Sequence, residues 1–433
     1  MATDSIRVAV VGLGFVGLPL ALTYAMKGAS VIGIDVLPSV VEEINRGHSH
    51  HLEAYQGKTL PEILREQLAA GRFYATTSYA EAAKSVDHYI ITVGLPVKNG
   101  DPDLGPLKSC AHSLGSVLKR GDTVMLRSTV VPGTTEEVVL PILEEVSGLQ
   151  AGKDFYLTYC SERIAEGRAF EEFMTMPLVL GGINRESAEK GKELLSVISE
   201  AEVTISDIRV VETAKVIENI QRDVNIAMVQ EFARFAEAYQ IDTFELIKVA
   251  NTHKRVQLLT PGPGVGGYCL PNALYYLLPK ARELGVSVSL LQHARQINDS
   301  VPKVLVSMLE RSLREVNKSL EGSRIAVLGL AMKDFSNDDR VSPVHDLISL
   351  LQSAGAEVCS YDPAVPSRYE HKRDSLEETV GGADALVLTA VQQAFVDIDW
   401  RSVAREMAAD PILFDTKNRI PRELDGEFRV LRV

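Results

Sequence analysis

Val8-Ala9-Val10-Val11-Gly12-Leu13-Gly14-Phe15-Val16-Gly17-Leu18-Pro19-Leu20 reads as three pieces in a row: a short buried strand, a Gly-x-Gly-x-x-Gly turn, and a helix that continues through residue 27. A second strand, Ser30-Val31-Ile32-Gly33-Ile34-Asp35, ends in an acid 18 residues past Gly17. Together they make a βαβ unit in which each glycine has its own duty. Gly12 makes the tight turn, Gly14 admits a pyrophosphate to the backbone, and Gly17 lets the helix pack closely on the sheet. The helix N-terminus then faces the phosphates. Asp35 accepts hydrogen bonds from an adenosine ribose, and with Val36 after it and no arginine, the site selects NAD over NADP. A lone glycine turn is weak evidence; with strand, helix and acid in place it predicts a dinucleotide-binding, doubly wound domain.

Residues 8–26 are uncharged and largely apolar, long enough to suggest a signal peptide or a membrane span. Closely spaced glycines have no purpose in a span, and no later stretch is long enough, so the chain reads as soluble with no membrane partner. Its 433 residues predict about three domains. With 45 basic against 58 acidic residues the net charge is −13, which disfavours a nucleic-acid partner and requires any anionic ligand to be held locally. The cysteines, Cys110, Cys160, Cys269 and Cys359, are at least 50 residues apart and form no cluster at zinc-ligand spacing. No metal site is expected, and a reduced, cytoplasmic protein is the simplest reading.

Strand-like runs at residues 88–93, 123–126 and 155–158 alternate with helical patterns to about residue 200. From residue 211 to 240 a long helix takes over, its apolar positions Ala214, Ile217, Val224, Met228, Phe232 and Phe235 spaced by three, four or seven. A helix over 243–251 and a glycine-rich loop over 261–267 follow. The α/β signal returns with Arg324-Ile325-Ala326-Val327-Leu328-Gly329-Leu330 and strands at 358–361 and 385–389. Gly329-Leu330-Ala331-Met332-Lys333 has one glycine where a dinucleotide turn wants three, so this half suits a nucleotide with a lysine at its phosphates. The expected fold is α/β, with two Rossmann-like doubly wound domains joined by a long central helix. Its divisions are 1–200 for NAD, 201–300 for a helical dimerisation domain and 301–433 for the second α/β domain.

Several residues have the chemistry of a site. Cys269, in Gly-Gly-Tyr-Cys-Leu-Pro, is by itself a small hydrophobe, but a glycine loop brings N–H groups near the thiol and exposes it as a nucleophile. Lys215, Asn219 and Arg222 project from one stripe of the long helix, either as a solvated face or as a polar site. Glu162 and Glu166 offer a general base and a second acceptor, or an exposed loop. Ser128-Thr129 orients a water or cofactor, or serves as a turn. Lys333 and Arg340 bracket the acidic run 334–339, either to hold a ligand or to neutralise that run.

These motifs, in order, resemble the UDP-glucose/GDP-mannose dehydrogenase family over nearly the whole chain: Gly12 to Leu20, Ser128-Thr129-Val130-Val131-Pro132-Gly133-Thr134-Thr135, Glu162 to Gly167, the Lys215/Asn219 helix, Gly264 to Pro271, and Gly329 to Lys333 through Arg340-Val341-Ser342-Pro343. The resemblance implies oxidation of the C6 hydroxymethyl of a nucleotide sugar to a carboxylate by two NAD⁺, for polysaccharide biosynthesis, in a homodimer. It makes Cys269 the nucleophile that forms a thiohemiacetal and then a thioester. Lys215 becomes the oxyanion stabiliser with Asn219 beside it, and Thr129 and Glu162 manage the hydrolytic water. Glu166, Arg222 and Gly266 fall on the substrate side, Lys333 at the diphosphate, and Arg255 reaches a neighbouring subunit's substrate. Gly12, Gly14, Phe15, Val16, Gly17, Asp35, Thr92, Thr129 and Arg340 fall on the cofactor side. Asn251-Thr252-His253-Lys254-Arg255-Val256 and the 261–267 loop are more similar to UDP-N-acetylhexosamine dehydrogenases than to UDP-glucose enzymes, so a UDP-N-acetylhexosamine is the first expectation and UDP-glucose the second.

One departure stands out. Where the family carries an aspartate four residues after the cysteine, this chain has Ala273, with Asn272 beside it. Full oxidation remains the first expectation, because Cys269, Lys215, Asn219 and both glutamates are present. A redox-neutral, NAD-dependent epimerase is the alternative that Ala273 raises.

Overall fold

Val8 to Val11 carry no polar side chain because the strand they belong to, Arg7–Val11 (β1), lies inside a parallel sheet and is buried on both faces. The computed structural model describes residues 6–433. It divides them into two units, one of residues up to 218 with 275–286 and one of residues 219–274 with 287–433.

The first unit is built on β1, Ser30–Ile34 (β2), Phe73–Thr76 (β3), His88–Ile91 (β4), Thr123–Leu126 (β5), Tyr156–Cys160 (β6), Leu178–Gly182 (β7) and Val203–Ser206 (β8). Their order in the sheet is β8-β7-β6-β5-β4-β1-β2-β3, and every neighbouring pair is parallel except β6 with β7. The order 3-2-1-4-5-6 is the doubly wound arrangement, in which ligands gather where the strand order reverses, beyond the C-terminal ends of β1 and β4. Register puts Val8 beside Val31 and His88, so the Gly12 turn, Asp35 and Thr92 all emerge at that point.

The glycine turn obeys the geometry expected of it. Gly12 sits at φ +91°, where a side chain is strained, and a Cβ on Gly17 would lie 1.8 Å from the Gly12 carbonyl oxygen. Thr92 closes the turn: its hydroxyl donates to the carbonyls of Val11 at 3.0 Å and Gly12 at 2.7 Å.

The second unit holds a five-stranded, all-parallel sheet of Arg324–Leu328 (β9), Glu357–Tyr361 (β10), Ala385–Leu388 (β11), Ile412–Asp415 (β12) and Arg429–Arg432 (β13), ordered β10-β9-β11-β12-β13. Alternate residues of β9 feed two separate cores. Ile325 and Val327 pack with Leu305, Leu309 and Leu347, while Ala326 and Leu328 pack with Trp400, Phe395 and Val403.

The predicted long helix spans Ile208–Tyr239. Its inward residues include Val211, Val216, Ile220, Val229, Ala233 and Ala236. The spaced apolar positions that announced it are a different face: Ile217, Met228, Phe232 and Phe235 are exposed, Phe235 by 64%. Periodicity located the helix correctly and did not identify which stripe this chain itself buries.

Candidate functional site

At the end of β1 lies a cleft of about 510 Å³ bounded by Gly12, Gly14, Asp35, Tyr79, Thr92 and Cys110. A Cβ on Gly14 would meet no protein atom within 4 Å, so the backbone there is open to a ligand. Asp35 accepts one backbone N–H on each oxygen, from Leu13 at 2.9 Å and Leu37 at 3.0 Å, which keeps a lone pair on each oxygen for ribose hydroxyls. Val36 beside it is exposed and offers no charge to a 2′-phosphate. Phe15 and Val16 are half-buried at the mouth of the helix Gly17–Met26, with the Phe15 ring against those of His50 and His51. Burial pushes the Cys110 thiol up to about 11, so this wall of the cleft is neutral. Open backbone, a helix N-terminus, a free-sided acid and a neutral wall fit NAD.

Thr129, half-buried, follows β5 by three residues, and Glu162 follows β6 by two. Sequence reasoning passed over the residues that hold them. Arg127 donates from Nη2 to Glu162 Oε2 at 2.6 Å, and Glu162 Oε1 accepts from the backbone of Arg163 at 2.7 Å and Ile164 at 2.9 Å. The same loop is tied further along by Glu53, whose oxygens accept from Gly167 N at 2.6 Å and Ala169 N at 3.0 Å, and by an ion pair of Arg163 with Glu218. Glu166 is half-buried between these anchors. The turn after Thr129 is held by Glu212, fully buried, which accepts from Gly133 N at 2.6 Å, Thr135 N at 2.9 Å and the Thr135 hydroxyl at 2.6 Å. Burial still leaves the Glu212 carboxyl above its ordinary value.

On the long helix Lys215 and Asn219, one turn apart, are both buried, which rejects the solvated-face reading for them. The Asn219 amide nitrogen is buried with no protein hydrogen-bond partner, a donor set for an acceptor the chain does not supply. Arg222 does not share this environment: it is exposed, and the buried residue next along the stripe is Asp223, paired with Arg295 at 2.7 Å.

In the second unit the glycine loop is pressed against two other segments. A Cβ on Gly266 would stand 2.7 Å from Pro343, 2.9 Å from the Val341 carbonyl and 3.0 Å from Met332, and Gly267 donates to that carbonyl at 3.3 Å. Met332 and Val341 are the chain neighbours of Lys333 and Arg340, so the loop that leads to Cys269 is seated on the two segments that carry those cations. Cys269 is exposed and begins the helix Cys269–Glu283. Ala273 is fully buried. Lys333 is half-buried. Arg340 grips Asp338 with two hydrogen bonds of 2.8 and 2.7 Å; burial alone would raise the Asp338 carboxyl, and these bonds hold it below the ordinary value. Arg255 is exposed.

The turn after β9 repeats the first cradle with its ligand sites closed. Gly329 has φ +93°, and Thr389 donates to the Leu328 and Gly329 carbonyls as Thr92 does to Val11 and Gly12. Asp362 stands where Asp35 stands, but it is buried and accepts from Leu330 N, Ala331 N, Ala364 N, Val365 N and Gln392 Nε2 at 2.7–3.2 Å. No lone pair remains for a ribose. Among the described residues no cluster of His, Cys, Asp or Glu has the arrangement of a metal site, and no helix is long and apolar enough to cross a membrane.

The sequence matches, in order, three parts of the UDP-glucose/GDP-mannose dehydrogenase family: the NAD binding domain over residues 6–199, the central domain over 209–300 and the UDP binding domain over 326–422. It is similar to a UDP-N-acetyl-D-mannosamine dehydrogenase of Pyrococcus horikoshii, at 36% identity over 96% of each chain. It is also similar to a UDP-N-acetyl-D-glucosamine 6-dehydrogenase of Salmonella typhi, at 31% identity over 97% of this chain and 98% of that one. A solved UDP-D-ManNAc dehydrogenase from Pyrococcus horikoshii superposes with a TM-score of 0.91 at 35% identity, covering 99% of both chains. With all three parts present in order and relatives matched end to end, the chain belongs to the UDP-glucose/GDP-mannose dehydrogenase family.

Proposed function

We propose that this protein oxidises the C6 hydroxymethyl of a UDP-N-acetylhexosamine to the uronic acid. The observation that carries the reading is the second unit's arrangement: an exposed cysteine at a helix start, on a glycine loop seated against the Lys333 and Arg340 segments. The names of the relatives support the sugar class, with UDP-glucose the second choice. Gly12, Gly14, Phe15, Val16, Gly17, Asp35 and Thr92 would hold NAD, which would supply the hydride acceptor, two molecules serving each sugar.

The chain's own residues do the rest. Lys333 holds the diphosphate. Lys215 places positive charge at the C6 oxygen as it becomes an alkoxide, and the unpartnered amide of Asn219 donates beside it. The Cys269 thiolate adds to the C6 aldehyde and keeps it from escaping between oxidations. After the second oxidation water adds to the thioester carbonyl, the C–S bond breaks and Cys269 leaves as thiolate. Thr129 and Glu162 handle that water, Glu162 passing its proton to solvent. Overall RCH2OH, water and two NAD⁺ give RCOO⁻, two NADH and three protons. A cytoplasmic setting, where thiols stay reduced, suits such a nucleophile.

The family parts at 6–199, 209–300 and 326–422 support a division of labour into a cofactor domain over 1–200, a dimerisation domain over 201–300 and a UDP-sugar domain over 301–433. The exposed apolar stripe of Ile217, Met228, Phe232 and Phe235 supports a homodimer formed through the long helix. The deciding assay counts NADH per sugar consumed across UDP-GlcNAc, UDP-ManNAc and UDP-glucose. Two NADH with uronic acid is expected; isomerised sugar without NADH, or no turnover, refutes the oxidation.

A further inference from the structure

Arg127 and Glu162 join the C-terminal ends of two neighbouring parallel strands, β5 and β6, the edge at which open α/β sheets bind ligands. The two side chains are 1% and 9% exposed. With Arg127 on one oxygen and two backbone N–H groups on the other, the Glu162 carboxylate is fixed in plane and keeps one lone pair unspent. Arg127 receives little in return. Its Nε and Nη1 are buried with no protein partner, and the Phe173 ring lies 5.5 Å from Cζ.

Two further charged side chains, Arg163 and Glu172, line the same small cavity as this pair, each paired with a group outside it, Glu218 and Arg168. Tyr24, from the helix Gly17–Met26, and Tyr159 and Cys160, from β6, are all pushed upward, by burial first, and stay neutral. For Arg127, burial is the largest single effect and works to lower its value; Glu162, Cys160 and Tyr24 together outweigh it, so the guanidinium holds its charge. An apolar side chain would fill this space without stranding two donors, so packing does not explain an arginine here.

We propose that Arg127 is a positioning residue for the oxidation, holding Glu162 oriented so that its remaining lone pair meets the hydrolytic water. This rests on the oxidation proposed above. Sequence reasoning singled out Ser128-Thr129 and Glu162 and missed the arginine immediately before the first, which ties the two segments together.

Four variants decide it: R127M, R127K, E162Q and the double R127M/E162Q, assayed for NADH and uronic acid with the best UDP-sugar. R127M is expected to lower kcat at least about tenfold, with both KM values within about twofold and acyl-Cys269 accumulating in quenched samples. R127K, keeping a cation, recovers most of the loss. The double variant removes both buried charges, so it is no slower than the slower single variant, the partners acting as one unit. Wild-type kcat in R127M, effects that multiply in the double variant, or R127K as slow as R127M with an equal fall in melting temperature overturns the proposal. A wild type that makes no acid sinks the oxidation and this inference together; wild-type turnover with the variant pattern reversed sinks the inference alone.

Discussion

Cys269 stands exposed at a helix start while Ala273, one turn on, is fully buried, so the thiol reaches solvent and the position of the missing family carboxylate does not. Cys269→Ser is therefore expected to stop acid formation, by about 10³-fold or more, and to leave UDP-sugar affinity within about twofold by calorimetry; acid formed at a comparable rate rules out the covalent route. Asp122, before β5, gives a second test at this scale. Burial pushes its carboxyl up to about 6, against an opposing hydrogen bond from Lys119 N at 2.8 Å. The folded chain thus binds this proton more tightly than the unfolded chain does. Stability from this group grows as pH falls from about 6 towards the ordinary value near 4, and it is absent above 6. Asp122→Asn should raise stability at pH 8 by on the order of 2 kcal/mol and change little at pH 4, read from melting temperatures at both. Gly12, Gly14, Gly17 and Asp35 were legible because a phosphate cradle is written in contiguous sequence. Arg127, Glu53 and Glu212 were not, since their partners lie 35, 114 and 77 residues away and nothing local announces them.

The helix Ile208–Tyr239 shows what element-scale patterning contains and what it omits. Spacing of three, four and seven identified a helix of the right length, because apolar side chains at those intervals line one face. Which surface that face meets is a tertiary fact. The chain's own core takes Val211, Val216, Val229 and Ala236, and leaves Ile217, Met228, Phe232 and Phe235 outside, with Phe235 stacked on Tyr239 at 5.8 Å. An uncovered stripe of that size on a helix calls for a partner, and a second copy presents the same stripe to itself about a two-fold axis. Phe235→Asp should give a monomer in sedimentation at concentrations where the parent is a dimer, with helical circular dichroism unchanged, since the side chain makes no core contact to lose. A parent that sediments as a monomer removes the dimer from the account. The same logic separates Lys215 and Asn219 from Arg222: spacing puts all three on one stripe of the helix, and only the first two are covered by the rest of the chain.

At the scale of the whole molecule, one structural device occurs twice and only one copy remains open. Gly12, Thr92 and Asp35 in the first unit correspond in role to Gly329, Thr389 and Asp362 in the second. The sequence argues against a second pyrophosphate cradle because the 329–333 turn has one glycine where a dinucleotide turn wants three. The stronger reason is that Asp362 already accepts five donors, whereas Asp35 accepts two. The two aspartates should therefore fail in opposite ways. Asp35→Ala removes the ribose acceptor from an accessible cleft, and NAD affinity should fall by about 10–100-fold, two hydrogen bonds at roughly 1 kcal/mol each, with a melting shift of only a few degrees. Asp362→Ala strands buried N–H groups, and stability should fall by on the order of 3 kcal/mol or more, while the folded fraction binds NAD within about twofold of the parent. Calorimetry with NAD⁺ and NADP⁺ alongside thermal unfolding reads both effects and the stoichiometry. One NAD⁺ per chain, bound more tightly than NADP⁺, fits one open cradle. A second NAD⁺, or a loss of NAD⁺ affinity in Asp362→Ala matching that in Asp35→Ala, would mean that the second acid serves a dinucleotide after all.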